Sequence, residues 1–232
     1  MGRIWTVAEM TVRGLVRRKA VLALLFATPL AFYLMRRADH PGQAVRFVVL
    51  GLGFTVSTMA LFGTTAARSM ESRLWLSGYR PGELFLGQLS GYAAIGVGIA
   101  VPYLGVIAVD QQLDRLGAVA LAMLLTVLIA APLGRLLGEL VPREMEGALL
   151  LVALLGVQML IDPAKDITKL LPFWSARELG TYAIDHTDSG YLYRGAAHGV
   201  VTTLVLLAGT GLLTALRLRR RRSIRVVADP AR

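Results

Sequence analysis

The side chains that could do chemistry are few in this 232-residue sequence, and they are widely scattered. There is no cysteine, which excludes disulfides, thiolate metal sites and cysteine nucleophiles. The three histidines, His40, His186 and His198, show no H-x-x-x-H or H-E-x-x-H spacing, so a metal site is not expected. No Gly-Lys pair occurs, and the phosphate-binding G-x-x-x-x-G-K-S/T loop is therefore absent. We expect no nucleotide and no cofactor to be bound by this chain itself.

One enzymatic arrangement can be tested from positions alone. Ser90 and His198 each lie in an apolar segment, as the serine and histidine of intramembrane serine proteases do. At about 1.5 Å per residue, Ser90 lies about 9 Å below one membrane face and His198 about 5 Å below the other. In a core about 30 Å thick they are then about 15 Å apart, whereas a nucleophile and its base need about 3 Å. The sequence therefore predicts no catalytic dyad and no enzyme.

The composition indicates what positions these residues. Hydrophobic residues make up 55% of the chain, charged residues only 17%, and the mean hydropathy is +0.60, which is too apolar for an ordinary soluble domain. Apolar runs long enough to cross a membrane predict an all-α, polytopic membrane protein with six transmembrane helices. The predicted spans are Ala20 to Met35, Phe47 to Ala67, Leu84 to Val109, Leu116 to Leu137, Gly147 to Ile161 and Gly195 to Leu216. Asp110, Glu139 and Asp162 lie at the ends of spans, whereas proton-coupled carriers usually place an acid or base near the centre of a span.

The basic residues orient these spans. With a cytoplasmic N-terminus, 17 of the 25 Lys and Arg residues lie on the cytoplasmic side, and the acidic residues divide almost evenly. We therefore predict that the protein is a multi-pass protein of the cell membrane, inner or plasma, with both termini cytoplasmic. The tail, residues 217–232, begins with a run of arginines that we interpret as a topology anchor against anionic lipid. It is accompanied by no base-reading module, so nucleic acid is not an expected partner.

The N-terminal segment, residues 1–19, is predicted to be an amphipathic helix in the cytoplasmic membrane interface. Trp5 lies on its apolar face, together with Ile4, Ala8, Val12, Leu15 and Val16, at helical spacing. Glu9, Arg13 and Arg17 lie on the opposite face. Such a helix places its tryptophan at headgroup depth and its arginines toward lipid phosphates, although it could serve only as an anchor.

The segment 68–83, between the second and third spans, is predicted to be a structured cytoplasmic loop. A short helix from Arg68 to Leu76 carries Met70, Leu74 and Trp75 as an apolar ridge, with Glu71 and Arg73 as charged flanks. Gly78 is placed to end this helix in the left-handed conformation. Pro81 and Glu83 then suit the first turn of the next helix. The alternative is an interfacial helix resting on lipid.

The segment 162–194, before the last span, is predicted to be a long external loop of short helices. It is rich in aromatic and leucine residues, and a capping box from Ser175 to Glu178 is expected to begin a helix after Pro172. Short re-entrant or surface helices in the outer leaflet account for the aromatics, and a soluble lid is the alternative. The 20–216 region as a whole forms the predicted transmembrane domain.

Small residues and prolines occur inside the predicted spans. Three G-x-x-x-G pairs predict close helix contacts: Gly87 with Gly91, Gly134 with Gly138, and Gly195 with Gly199. Pro29, Pro102 and Pro132 are expected to kink or locally unwind their helices.

This combination of features resembles the permease subunits of ABC-2-type exporters. The resemblance is closest in the run RLWLSGYRPGELFLGQL, residues 73–89, which is similar to that family's loop leading into the third span, except that Gln88 stands where a lysine is usual. The run from Leu171 to Trp174, followed by Glu178 and Leu179, is similar to its external loop. A cytoplasmic amphipathic helix and six spans with both ends inside complete the likeness.

The resemblance implies a division of labour. Two permease chains, identical or different, would form the membrane path, while separate ABC ATPase subunits bind ATP and Mg. It also implies that the segment Arg68 to Leu76 is the coupling helix that docks on the ATPase, and that the first, second and fifth spans line the path. The implied coupling residues are Arg68, Met70, Glu71, Arg73, Leu74, Trp75 and Gly78. A membrane scaffold or channel without an ATPase, and an intramembrane enzyme, are the alternatives; no residue identifies the substrate.

Overall fold

The computed structural model describes residues 2–38, 40–111, 113–141, 143–161 and 165–227. Within these ranges the protein is all-α, as the sequence predicts, and contains no strand. The helices are α1 (Gly2–Val16), α2 (Lys19–Arg37), α3 (Pro41–Leu76), α4 (Pro81–Gln111), α5 (Leu116–Leu140), α6 (Glu144–Leu160), a 3₁₀ helix (Asp166–Leu170), α7 (Trp174–Ile184) and α8 (Ser189–Val227).

Five of these helices are long and apolar enough to cross a membrane: α2, α3, α4, α5 and α8. The remaining predicted span, Gly147 to Ile161, corresponds to α6, which is helical but only 17 residues long. Large apolar side chains such as Leu24, Leu149 and Val205 are exposed on the outside of the bundle, which is the arrangement expected where lipid replaces water. The fold is therefore that of a multi-pass membrane protein.

Helices α3 and α5 form the centre of the bundle. In the apolar stretch of each of these helices two-thirds of the residues are buried, whereas about one-fifth are buried in α8 and fewer in α2. They run in the same direction, because Gly53 lies beside Thr126 and Ser57 lies beside Gly134. Helix α8 is parallel to α5, since Gly199 contacts Leu125, whereas α2 and α4 are antiparallel to α3. The chain must therefore return along the bundle between α5 and α8.

Helix α6 makes this return. Its start contacts the later part of α3, where a β-carbon on Gly147 would touch Leu61. Its end lies beside the beginning of α3, where Gln158 and Gln43 line the same cavity. We name the two ends of the bundle by residues that lie there: the Gly78 end, where α3 gives way to α4, and the Arg46 end, where α7 packs. Helix α6 runs from the Gly78 end toward the Arg46 end.

All three predicted glycine pairs lie at close helix contacts, which confirms that prediction. A β-carbon at Gly134 would lie 2.0 Å from the Ser57 carbonyl oxygen. One at Gly87 would lie 2.5 Å from the Val7 side chain of α1, and one at Gly199 would lie 2.7 Å from Leu125. Absence of a side chain at these positions is what allows the helix axes to approach.

The segment 162–194 is structured, but its boundaries differ from the prediction. Helix α8 begins at Ser189 rather than Gly195, and it continues past residue 216 into the predicted tail; Asp162 and residues 228–232 lie outside the described residues. The predicted capping box is wrong, because Ser175 lies inside α7, is fully buried and caps nothing. The carboxylate of Glu178 instead pairs with Arg194 of α8 at 3.3 Å.

Ion pairs fasten the Arg46 end. Arg37 of α2 donates to the Asp110 carboxylate at the end of α4, with an Nε to Oδ2 distance of 2.8 Å. Arg115, just before α5, donates to the backbone carbonyls of Tyr182 and Thr187, each at 2.9 Å. These contacts tie α7 and its flanking turns to the bundle, so this end is an ordered cap.

Candidate functional site

The predicted coupling segment is the C-terminal end of α3 rather than a separate short helix. Helix α3 runs without a break from Pro41 to Leu76, so the predicted division at Arg68 is absent. No proline or glycine follows Gly63 until Gly78, and nothing in the segment interrupts the helix. The helix is 36 residues long, about 54 Å, which exceeds a hydrocarbon core of about 30 Å.

The predicted helix ending at Gly78 is confirmed. Gly78 has a φ of 87°, its backbone N–H donates to Trp75, and the Tyr79 N–H donates to Leu74 at 3.2 Å. This pair of hydrogen bonds is the Schellman motif, in which a glycine in the left-handed region closes the last helical turn. Gly78 therefore fixes the direction in which the chain leaves α3.

The restart at Pro81 is confirmed too, and α1 is fastened to the turn. Pro81 is the first residue of α4, and the Arg80 backbone N–H donates to the Glu83 carboxylate at 2.8 Å. Arg3 of α1 donates to the Gly78 carbonyl at 2.8 Å, and its guanidinium lies over the Tyr79 ring. Helix α1, the end of α3 and the start of α4 thus form one structural unit.

The predicted apolar ridge is only partly on the outer surface. Met70 and Leu74 line a cavity whose other side includes α1, and Trp75 is half-buried. Leu76, which the sequence did not single out, is 60% exposed. Arg73 is exposed as predicted, and it forms no ion pair with the described residues.

Glu71 is the main correction at this site. The sequence predicts a charged flank of the apolar ridge, but the Glu71 side chain is 1% exposed. One carboxylate oxygen accepts a hydrogen bond from Arg135 of α5 at 3.2 Å, and the other accepts one from Arg217 of α8. A buried carboxylate without such partners would be neutralised or would destabilise the fold, so these two arginines explain why glutamate is tolerated here.

Glu71 belongs to a buried cluster that joins four helices. Arg135 is fully buried, and its Nε lies 3.2 Å from the Glu139 carboxylate, one turn along α5. A second guanidinium N–H donates to the side-chain oxygen of Gln88 on α4. We call Glu71, Gln88, Arg135, Glu139 and Arg217 the charged cluster. Its two carboxylates and two guanidinium groups balance in charge, and they link α3, α4, α5 and α8.

Arg68 ties the same region to the end of α5. Its guanidinium donates to the Gly138 carbonyl and, at 3.0 Å, to the Val141 carbonyl. These carbonyls belong to the last turn of α5 and the residue after it, where helical partners are missing and a cation is favourable. Arg68 is therefore a fastening residue between α3 and α5 rather than an exposed one.

The N-terminal residues lie on a helix packed against α4. Val7 and Ala8 are buried against the protein, whereas Trp5 is 73% exposed on a surface that is open to lipid. Glu9 and Arg13 form an exposed ion pair with 2.5 Å between their charged atoms, and Arg17 is exposed at the break before α2. The buried residues are those that face Gly87 and Gly91 of α4, against which α1 packs.

Ser90 and His198 have unrelated partners. The Ser90 hydroxyl donates to the Leu86 carbonyl of its own helix, and a His198 ring nitrogen lies 2.9 Å from the Lys169 carbonyl at the Arg46 end. Among the described residues, no group of three or more His, Asp or Glu side chains could hold a metal ion. The contacts within the charged cluster are ion pairs and hydrogen bonds that fix helices to one another.

Sequence reasoning missed Arg135, Glu139 and Arg217 as members of this site. A signal was present in Arg135, because it lies inside an apolar helix, where a charge marks a functional or structural pairing by default. Its spacing of four residues from Glu139 was a second signal.

No model of a known protein family matches the chain. No curated protein matches it either.

Proposed function

We propose that this chain is the permease subunit of an ATP-binding cassette exporter. With a second permease chain, identical or different, it forms the membrane path for a hydrophobic or amphipathic substrate. Separate ATPase subunits bind ATP and Mg and power the transport. The observation that carries the proposal is the connection between the exposed turn at the Gly78 end and the long apolar helices, through the charged cluster.

The connection suits the transmission of force. Leu76 and the turn that follows are exposed, while Glu71, five residues earlier, is held by Arg135 and Arg217. A displacement of the turn therefore reaches α5 and α8 through ion pairs, and α4 through the chain itself. Well-packed apolar residues of similar volume often stabilise a fold at least as well as buried ion pairs, so the cluster suits the transmission of force better than stability alone.

The topology supports six spans with both termini on one side. Since α5 and α8 are parallel, α6 has to cross between them, and its 17 residues span about 26 Å. Thinning of the bilayer and snorkelling of flanking side chains accommodate so short a span. Helix α1 contacts the turn at Gly78, and Thr214 of α8 donates to Glu139, near the end of α5, at 2.5 Å. Helix α1 and the C-terminal part of α8 therefore lie at the Gly78 end, which the charge distribution predicts to be cytoplasmic.

The departure at Gln88 has a physical reason in this chain. Its side-chain oxygen accepts a hydrogen bond from the fully buried Arg135. A lysine at this position would place a second cation beside that guanidinium, at the cost of repulsion in a low-dielectric site.

The expected docking surface is the exposed turn, residues 73–80. Arg73 and Arg80 supply positive charge, and Leu76 and Trp75 supply apolar contact. A matching ATPase groove would be apolar with an acidic rim. The interfacial role of α1 is to brace this turn through Arg3 and to contact membrane lipid through Trp5.

The test is co-purification of the chain with an ATPase subunit and measurement of transport-coupled ATP hydrolysis. Leu76→Asp should reduce coupled hydrolysis about tenfold or more, because a charge in a docked apolar contact costs on the order of 2 kcal/mol. Leu74→Asp and Trp75→Ala should reduce it in the same direction. Leu170→Asp is the matched control, since Leu170 is 83% exposed in the 3₁₀ helix at the opposite end. Equal effects of the two leucine variants, or stable function without any ATPase, would refute the proposal.

A further inference from the structure

A groove of about 610 Å³ lies between α1, α2 and α3, and Gln88, Tyr92 and Glu144 also line it. We call it the α2–α3 groove. It is lined mostly by apolar side chains, and one side is open, since Leu24 is 66% exposed and Phe62 37% exposed. Its volume is that of a site for a small ligand.

Two buried hydroxyls in the α2–α3 groove have no hydrogen-bond partner. They belong to Thr55 and Thr58, which are neighbours one turn apart on α3, and Thr55 is only 2% exposed. A threonine inside a helix ordinarily satisfies its hydroxyl on the carbonyl four residues earlier. Thr28, which lines the same groove, does so on Leu24 at 2.9 Å. A buried hydroxyl without a partner is unfavourable, so the Thr55 and Thr58 hydroxyls are available to donate hydrogen bonds to a ligand.

Arg18 is the charged group of this groove that has no protein partner among the described residues. Of the other charged residues that line it, Glu71 is held by two arginines and Glu144 accepts a hydrogen bond from Thr65 at 2.6 Å. Arg18 lies exposed at the break between α1 and α2. The groove therefore offers one free positive charge to a ligand.

The spacing of these groups can be worked out from the packing of α2 on α3. Pro29 lies beside Gly51 in an antiparallel pair, so Arg18 lies level with Phe62. Thr58 is then about 6 Å and Thr55 about 10 Å deeper in the bundle than Arg18, at about 1.5 Å per residue. A ligand that satisfies all three has an anionic group at the interface, hydrogen-bond acceptors one to two helical turns deeper, and an apolar remainder.

We propose that the α2–α3 groove binds an anionic glycerophospholipid-like amphiphile, with its phosphate at Arg18 and its ester carbonyls accepting hydrogen bonds from Thr58 and Thr55. The acyl chains follow the apolar walls past Leu25 and leave through the open side into the bilayer. This inference deepens the proposed function by naming a substrate class, and it rests on that proposal only for the step from binding to transport.

Binding is measured on the full chain in uncharged detergent, by native mass spectrometry with phosphatidylglycerol and with phosphatidylcholine of the same acyl chains. Phosphatidylglycerol should bind about tenfold more tightly, because the choline ammonium of phosphatidylcholine offsets the attraction between its phosphate and Arg18. Arg18→Gln should abolish this preference. Arg17→Gln is the matched control, because Arg17 is an equally exposed neighbour that does not line the groove. Equal effects of the two variants would mean general surface attraction and would overturn the proposal.

The hydroxyls are tested separately. The double substitution Thr55→Val and Thr58→Val should lower the affinity for both lipids by a similar factor, about tenfold. Thr28→Val should leave the affinity unchanged, because the Thr28 hydroxyl is already hydrogen-bonded within its own helix. An ether-linked phosphatidylglycerol, which lacks ester carbonyls, should bind the unaltered chain as weakly as the ester lipid binds the Thr55 and Thr58 variant. Equal affinities for ester and ether lipids would contradict the assignment, as would full competition by free glycerol phosphate.

The two proposals fail independently. Lipid binding needs no ATPase subunit, so loss of lipid selectivity with Leu76-dependent ATPase coupling intact would overturn only the lipid site. Selective binding in a chain that never associates with an ATPase would overturn only the exporter function.

Discussion

Replacement of Glu71 by glutamine tests the charged cluster most directly, because it removes one charge and keeps the size of the side chain. Glu71 and Arg135 are essentially fully buried and 3.2 Å apart. At an effective dielectric constant of about 20, their attraction is about 5 kcal/mol before the cost of desolvation. Breaking a buried pair from one side typically costs about 3–5 kcal/mol, since the remaining charge stays buried. We therefore expect Glu71→Gln to lower the free energy of unfolding by about 3 kcal/mol or more.

The measurement is equilibrium unfolding in mixed micelles, with Glu9→Gln as the control. Glu9 and Arg13 are closer together, at 2.5 Å, but their side chains are 41% and 69% exposed. An exposed pair contributes only about 0–1 kcal/mol, so the control should lose little. Similar losses at Glu71 and Glu9 would refute the reasoning, because burial and not distance is what distinguishes the two pairs.

A second substitution tests whether the cluster acts as a unit. Glu71→Gln leaves an excess positive charge, which Arg217→Gln then removes. The double variant should be more stable than the sum of the single losses indicates, by about 1–3 kcal/mol. Additive losses would show that Arg217 is not coupled to Glu71.

Two further predictions concern glycines and are read out by the same unfolding measurement. Gly134→Ala should lower the free energy of unfolding by about 1–3 kcal/mol, because the new β-carbon would meet the Ser57 carbonyl. A β-carbon at Gly98 would meet nothing within 4 Å, so Gly98→Ala should be neutral or stabilising. Gly78→Ala should cost about 1 kcal/mol, because Gly78 has a positive φ, whereas Gly82 has none and Gly82→Ala should cost nothing. Equal effects of the two substitutions within either pair would contradict the geometry.

The helices and their turn could be predicted from the sequence because local signals determine them. Long apolar runs specify membrane-spanning helices, and Gly78 followed by Pro81 specifies the end of α3 and the beginning of α4. Helix ends were less predictable. Helix α3 continues through Leu76 because the residues after the apolar run are good helix formers, and hydrophobicity alone does not mark where such a helix ends.

The charged cluster could not be assembled from the sequence, because its members are distant along the chain. Glu71 lies 64 residues from Arg135 and 146 from Arg217. A local helical pattern shows that Glu71 lies beside an apolar stripe, but which neighbour faces it depends on how α3 and α5 rotate against each other. That rotation is set by Gly134 and Gly138, where the α3 backbone approaches most closely.

The contact between α3 and α5 makes these two helices one double rod. Ser57 donates to the Ala130 carbonyl at 3.1 Å, in the same stretch where Gly134 admits the α3 backbone. With the anchoring pair of Glu71 and Arg135 near one end, a load applied at Leu76 would be shared by both rods instead of bending one. If the rod pivots at Glu71, a displacement of about 1 Å at Leu76, five residues away, becomes a displacement of about 6 Å at Pro41, thirty residues away on the other side. Under the proposed function, a small displacement at the Gly78 end would therefore produce a larger displacement at the Arg46 end.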